Sequence, residues 1–577
     1  MRKFILTTWV LLASVFAWAE SVPQGRAKAA AERFLQELAP ARHPQLQLVF
    51  EAPRLTKSVS AEPAYYIFSD PAGGFVIAAG DDTVPAVLGY STTGVLRADD
   101  LPDNLKAWLD MWREIVADRR AVGAAPWQAP ARTKAGGKSK LLETASWGQR
   151  SPFNDLCFKI NGSPALTGCT ATATAIVMRY LEWPDKGTGT LPSYEFKEEG
   201  GTQTRTQGTV TLGHAYNWSQ MPTDKNTGNW TDKQKEQVAT LMRDLAVMLQ
   251  SKFGAKATSA YIDDVAPGLV SFMKYDASVR LDKMALYGSV QEWVDQIKAN
   301  IDRLGPVVYS GYGKEGGHAF VVDGYDEQDY LHVNWGWSGQ DNGFFAVPGE
   351  FDKYTEGHTA VLGLKKNAGG KAPEDLRMAR SCLKSSTTSY ALNQPFTVSG
   401  TFFNYSAAAF NGDVAIAKFD RTDKLTEVVC DPVTLKDLAS GYGYDSYPFI
   451  CTITTRIQAG DYLTAVWRSA TNPAWQPMRY DHEVSGSAAR LALGDTVILE
   501  KNVSLQYDVE DGALYVIFEC DCTRELRNAS GAKVTTGITD DGEWMHIDAT
   551  RLPAGTYTLH MQRGEQVKDI TLHLGLK

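Results

Sequence analysis

Hydrophobic residues recur along this chain in successive rhythms. From Ala27 to Leu38 they fall at helical spacing. From Tyr65 to Phe68, and again from Phe75 to Ala79, they run at strand length on either side of a Gly73-Gly74 turn. Leu105, Trp108, Leu109, Trp112, Ile115 and Val116 then return to the i, i+3, i+4 pattern. Such a stripe must bury against something, either the core of its own small α+β unit or a face of the next domain. From Gly123 to Lys140 the prolines, a Gly136-Gly137 pair and scattered basic residues carry no period. That stretch predicts an exposed linker of the kind proteases cut, or a plain hinge between domains.

Beyond the linker the pattern is helical first and strand-like afterwards. Thr170 to Tyr180 predicts a helix stopped at Trp183-Pro184. Thr231 with Gln234, and Ser289 with Glu292, read as capping boxes ahead of apolar series ending at Leu249 and Ile301. Short β runs follow at Val307 to Ser310, His318 to Tyr325, Tyr330 to Trp335 and Phe344 to Val347. Helices followed by an antiparallel meander predict an α+β domain over 141–366. The stretch from Asn367 to Pro373 is rich in glycine and marks another boundary. After it, segments such as Phe396 to Phe403, Tyr462 to Trp467 and Tyr557 to Gln562 alternate with turns, which predicts two all-β, immunoglobulin-like sandwich modules at 374–490 and 491–577.

A length of 577 residues agrees with about two to four folding units. With 44% hydrophobic and 22% charged residues the composition is that of a globular protein. A net charge of -9 argues against nucleic acid as a partner, since phosphate binding needs clustered Lys and Arg. Arg2 and Lys3, an apolar run from Phe4 to Phe16 and Ala17-Trp18-Ala19 read as a cleaved signal peptide over 1–19. The apolar run falls short of the ~20 residues that span a bilayer. The mature protein is therefore expected from Glu20, secreted or on a bacterial cell surface. Seven cysteines leave at least one thiol unpaired in a fully oxidised monomer. Cys430 and Cys451 are open to two readings, a bridge between neighbouring strands or two buried thiols. Cys520 and Cys522 lack the further ligands a metal would need nearby, and no metal or organic cofactor is expected.

Catalytic chemistry concentrates around Cys169. Gly168 permits a tight turn, and Cys169 then opens the predicted helix, where unsatisfied N–H groups and the positive dipole end favour thiolate. An arbitrary cysteine is more often a buried structural thiol; the Gly-Cys helix start brings the nucleophile reading level with that one. A thiolate needs an imidazole to protonate the leaving amine. Of nine histidines, His318 follows Gly316-Gly317 at a strand start, and His332 lies on the next strand in His-Val-Asn-Trp-Gly-Trp. Either suits the role. Asn334 shares a strand face with His332 and could supply a carbonyl to orient an imidazole. The backbone N–H of Cys169 and the side chain of Gln149, in Trp147-Gly148-Gln149, are candidate donors to an oxyanion.

The motifs Trp-Gly-Gln, Thr-Gly-Cys-Thr-Ala-Thr-Ala, Gly-Gly-His-Ala-Phe-Val-Val-Asp-Gly-Tyr and His-Val-Asn-Trp-Gly-Trp-Ser-Gly closely resemble, in order, those of the streptopain family of bacterial cysteine peptidases. The resemblance implies a papain-like catalytic fold, Cys169 as nucleophile, His318 as general base and acid, and Gln149 in the oxyanion hole. It also implies that Asn334 and Trp335 stand beside the histidine. Ala-Tyr-Tyr-Ile-Phe-Ser-Asp and Gly-Gly-Phe-Val-Ile-Ala-Ala-Gly-Asp-Asp resemble the family's inhibitory propeptide, so 20–140 is expected to hold the enzyme latent as an intramolecular partner. The C-terminal half resembles that of longer members of the interpain and periodontain type. The stretch from Leu552 to His560 and on to Thr571-Leu-His-Leu resembles the sorting domains of type IX secretion cargo, which implies contact with secretion machinery. The expected function is a secreted endopeptidase acting on protein and peptide substrates. The alternatives are a papain-like acyltransferase of the transglutaminase kind and a catalytically inert surface-binding protein.

Overall fold

A computed structural model describes residues 20–574 except 53–62, 98–100, 129–137, 288, 314–315, 348–356, 389, 407, 440, 459, 481–488, 494–502, 509–512, 519–521, 542–543 and 564–565. The signal peptide and the centre of the linker expected at Gly123 to Lys140 lie outside the described residues. The chain divides into two compact units, Met1–Lys371 and Ala372–Lys577.

The first unit begins with α1 (Gln24–Leu38) and strands β1 (Gln47–Glu51), β2 (Tyr65–Ser69), β3 (Phe75–Ala79) and β4 (Val87–Ser91). Next come α2 (Asp103–Ala121), β5 (Lys140–Leu141), α3 (Cys169–Leu181) and α4 (Asp232–Met248). Then follow β6 (Arg280–Lys283), α5 (Val290–Arg303), β7 (Val307–Gly313), β8 (Gly316–Tyr325), β9 (Leu331–Asn334), β10 (Gly343–Phe345) and β11 (Thr359–Leu362). The capping box before α4 forms in both directions between Thr231 and Gln234, and before α5 the Ser289 hydroxyl accepts from the Glu292 N–H at 3.2 Å. Each satisfies a backbone donor that the first helical turn leaves without an intrahelical partner.

One eleven-stranded sheet runs β1-β2-β3-β4-β10-β9-β8-β7-β11-β6, with β5 attached to β8. The expected meander is thus continued by the N-terminal strands: β4 pairs antiparallel with β10, Tyr90 opposite Phe344 and Gly89 opposite Phe345. Period-two alternation sends the central strands to two cores. Val308, Ala319, Val321 and Val361 face α3 and α4, whereas Val307, Tyr309, Phe320, Val322 and Leu362 face α2 and α5. The stripe Leu105, Trp108, Leu109, Trp112, Ile115 and Val116 is wholly buried in that second core, beside Trp293, Trp335 and Phe345. The same core takes in Tyr65, Ile67, Phe75 and Ile77 of the stripe's own unit, so both expected destinations are occupied.

The second unit is built from strands. In its first part, β12 (Leu376–Ser385), β13 (Pro395–Asn404) and β17 (Gly443–Thr452) form one sheet; β14 (Phe410–Phe419), β15 (Leu425–Val428), β16 (Val433–Leu438) and β18 (Tyr462–Ser469) form another. Leu491–Ala492 pairs with β18, so pairing in this part continues past residue 490. In the second part, Val503–Asp508, Ala513–Phe518, Trp544–Asp548 and Ile538–Asp540 form one sheet; Lys533–Val534, Thr523–Asn528, Gly555–Arg563 and Gln566–Leu574 form the other.

Candidate active site

The geometry starts at Gly168, whose φ of +88° lies in the left-handed region. A Cβ there would stand 3.0 Å from the Thr258 carbonyl oxygen, so this turn needs glycine on both counts. Cys169 is the first residue of α3, where backbone N–H groups point toward its sulfur's end of the helix. The Thr170 hydroxyl ties the first turn to the Ala260 carbonyl at 3.1 Å, and small Ala and Thr side chains let α3 lie against β8.

Cys169 lines a cleft of about 500 Å³ together with Thr170, Lys252, Gly317, His318 and Ala319. The Ala319 N–H donates to Cys169 Sγ at 3.4 Å, which brings the residue after His318 onto the sulfur. The other candidate base is elsewhere employed. His332 Nδ1 stands 2.5 Å from Asp323 Oδ1, its ring packs edge-on to Phe344, and it does not line the cleft. Of the two histidines left open by strand periodicity, His318 is the one beside Cys169.

Asn334 is buried. Its amide donates to the Thr144 hydroxyl at 3.0 Å and to the Ala145 carbonyl at 3.1 Å, and its own carbonyl accepts from the Gly336 N–H at 3.1 Å. These contacts fix the turn after β9. Thr144 donates in turn to Asp323, whose other oxygen holds His332. Trp335 is 1% exposed, with its ring packed on Phe320 and Phe345 and its Nε1 on the Asp341 carbonyl at 3.0 Å. Gln149 is buried, and its backbone carbonyl accepts from the Thr167 N–H at 3.3 Å, two residues before Cys169. The Trp147-Gly148 segment beside it is pinned to the turn after Trp335 by the Ser338 N–H on the Trp147 carbonyl at 2.9 Å.

One polar residue at this site escaped sequence reasoning. Asn104, in the first turn of α2, is 2% exposed, and its side-chain amide donates to the Trp335 carbonyl at 2.6 Å and to the Ala319 carbonyl at 3.5 Å. A single amide from the N-terminal segment thus spans the strand that carries His318 and the turn that follows Asn334. Its only sequence signal is a polar residue immediately before a stripe that is buried throughout. Among the described residues no cluster of His, Cys, Asp and Glu could hold a metal ion, and no helix is long and apolar enough to cross a membrane.

A family model described as Peptidase C10 family matches residues 147–345, and one described as Spi protease inhibitor matches residues 19–116. Streptopain of Streptococcus pyogenes is 31% identical over 299 residues, covering 49% of this chain and 73% of streptopain. The chain belongs to the peptidase C10 family. Within this C10 chain the family match contains Gln149, Cys169, His318, Asn334 and Trp335, and the inhibitor match contains Asn104. The thiol protease/hemagglutinin PrtT of Porphyromonas gingivalis is 32% identical over 364 residues, covering 60% of this chain. The C10 chain spans 41% of that longer relative. A solved fragment of Prevotella intermedia prointerpain A is 27% identical and covers 55% of this chain and 98% of the fragment, at a TM-score of 0.45.

Proposed function

We propose that this chain is a secreted cysteine endopeptidase made as a latent zymogen. Cys169 attacks the scissile carbonyl as thiolate, and its backbone N–H with the Gln149 amide receives the oxyanion. His318, as imidazolium, protonates the leaving amine while the carbonyl collapses to a thioester on Cys169. His318 then takes a proton from water, the hydroxide attacks the thioester, and the carboxylic acid leaves with the thiolate restored. Trp335 covers the histidine's strand, and Asn334 holds the turn that carries Trp335. Residues 20–140 act as an intramolecular inhibitor, 141–366 as the papain-like catalytic domain, and 374–490 and 491–577 as immunoglobulin-like modules, the last a candidate sorting domain for secretion.

The observation that carries this reading is the junction of Ala319 with both Cys169 and Asn104. The same residue that donates to the sulfur accepts from an inhibitor-type segment, so the segment that matches an inhibitor reaches the cysteine's own neighbourhood. An inhibitory segment favours hydrolysis over acyl transfer, since unregulated proteolysis is the hazard that latency controls. Incubation with casein, with and without a thiol-directed epoxide and beside Cys169→Ala, tests the proposal. Cleavage is expected from the unmodified chain after maturation alone, and undiminished cleavage by Cys169→Ala would overturn it.

A further inference from the structure

We infer that Cys430 and Cys451 form an intrachain disulfide that staples together the two sheets in the first part of the second unit. Cys451 lies in β17, the outer strand of the sheet containing β12 and β13. Cys430 lies between β15 and β16, both strands of the opposing sheet. An isolated antiparallel bridge pairs the two cysteines directly. The Thr452 N–H donates to the Val429 carbonyl at 2.7 Å, which makes Cys430 and Cys451 a pair of the type not hydrogen-bonded through their own backbones. In such pairs the Cα atoms stand about 4.5 Å apart, inside the range of about 4.4–6.8 Å that a disulfide accepts.

Both are thiols in this structure, the Cys451 S–H aimed at the Phe449 carbonyl at 3.6 Å and the Cys430 S–H at the Ile416 carbonyl at 3.9 Å. The neighbouring Cys451 thiol holds Cys430 below its ordinary pKa, and Cys430 and burial together push Cys451 up. The Ile416 N–H also donates to Cys430 Sγ, at 3.2 Å. Cys451 is fully buried and Cys430 is partly exposed, so the two differ in the roles they can take. The oxidant is a disulfide, either a small molecule or a thiol–disulfide oxidoreductase. Cys430 thiolate attacks one of its sulfurs; the external S–S bond breaks, and one thiol leaves with the proton that Cys430 gave up. Cys451 then displaces the second thiol from the mixed disulfide, its own proton leaving with that thiol. Two cysteines are oxidised to one disulfide, and the external disulfide is reduced to two thiols. Once closed, the bridge is shielded by the burial of Cys451, so a reductant able to keep the partly exposed Cys169 as a thiol reaches it slowly.

The full chain carrying Cys169→Ala, which prevents self-digestion, is folded, exposed to oxidised glutathione, unfolded in iodoacetamide and digested without reductant. The expected product is a peptide pair joined through Cys430 and Cys451. The oxidised chain is also expected to melt higher in its second unit by roughly 6–12 °C than the reduced chain, a shift lost on adding Cys451→Ala. Alkylation of both cysteines, glutathione held on Cys430 alone, linkage to any other cysteine, or linkage with unchanged melting would each overturn the inference.

Discussion

At the scale of single residues, two buried polar side chains carry more of the site's organisation than their sequence contexts suggest. Asn104 donates to the carbonyls of Ala319, on the strand that carries His318, and of Trp335, in the turn after β9. Asn104→Ala removes both bonds and leaves those carbonyls buried, at a cost of about 1–3 kcal/mol to the latent form. That cost falls on the zymogen alone. The purified Asn104→Ala chain is therefore expected to mature about ten-fold faster than the unmodified chain, followed by the appearance of the processed band over time; an unchanged time course would remove Asn104 from the latency device. Asp323 is the second such residue. It holds His332 and Thr144, and Thr144 holds Asn334, so a carboxylate in an apolar strand fixes the turn bearing Trp335 from behind. Asp323→Asn puts an NH2 group where an acceptor is needed, and a destabilisation of about 1–3 kcal/mol is expected in urea titrations. Hydrolysis of a fluorogenic peptide by the mature enzyme is expected to fall, while alkylation of Cys169 by iodoacetamide continues, because the thiol's helix-start environment is untouched. Equal losses in both assays would instead mean general unfolding.

At the scale of elements, α2 is the piece on which latency and stability meet. Trp108 stands edge-on to Phe320, Trp335, Phe345 and His358, so one side chain of the N-terminal segment touches strands β8 and β10, the turn after β9 and the residue preceding β11. His358 is wholly buried there; its Nδ1 meets the Tyr309 hydroxyl at 2.8 Å, Tyr309 also receives the Trp293 Nε1–H, and among the described residues His358 Nε2 has no partner. Burial drives its pKa down to about 3. In the unfolded chain an imidazole titrates near ~6.5, so below that pH the unfolded state binds a proton that the folded state refuses. Stability is therefore complete above ~6.5 and lost as pH falls toward 3, by ~1.4 kcal/mol per pH unit from this group. Urea titrations of the zymogen at pH 7, 6, 5 and 4 are expected to show a shallower acid decline in His358→Gln than in the unmodified chain, by close to one proton; parallel declines would contradict it. The stripe on α2 could be read from its spacing, but its destination could not, because periodicity reports that a face is buried and not what buries it. The pairing of β4 with β10 left still less trace. Strands so distant in sequence meet edge to edge through backbone groups, and backbone pairing selects no residue type. The helix start at Cys169 was legible because a glycine in a left-handed turn and a run of small residues are local demands. The choice between His318 and His332 was not, since alternation places both on strands and only Asp323, a partner on the neighbouring strand, decides which is occupied.

At the scale of the whole molecule, the division at Lys371 and Ala372 separates two sets of buried residues that share no member. The site residues and the helix that reaches them all belong to the first unit. What closes that unit is Asp276: its carboxylate accepts from the Ser278 hydroxyl and from the N–H groups of Ser278, Ala368 and Gly370, and these bonds hold it well below the usual carboxylate range. A Cβ on Gly370 would stand 2.0 Å from an Asp276 oxygen, so the chain's exit is fitted around that carboxylate as well as tied to it. A truncation must therefore keep residues 368–370 to leave the first unit's bonds intact. A chain ending at Lys371 is expected to fold, remain latent and mature to an enzyme whose kcat/KM on a short peptide is within about two-fold of the full chain's, since no described site contact is removed. Calorimetry of the full Cys169→Ala chain is expected to resolve two transitions, of which the Asp276→Ala change lowers only that of the first unit. A single transition, moved as a whole by Asp276→Ala, would show that the two cores unfold as one and that the catalytic unit depends on the strands that follow it.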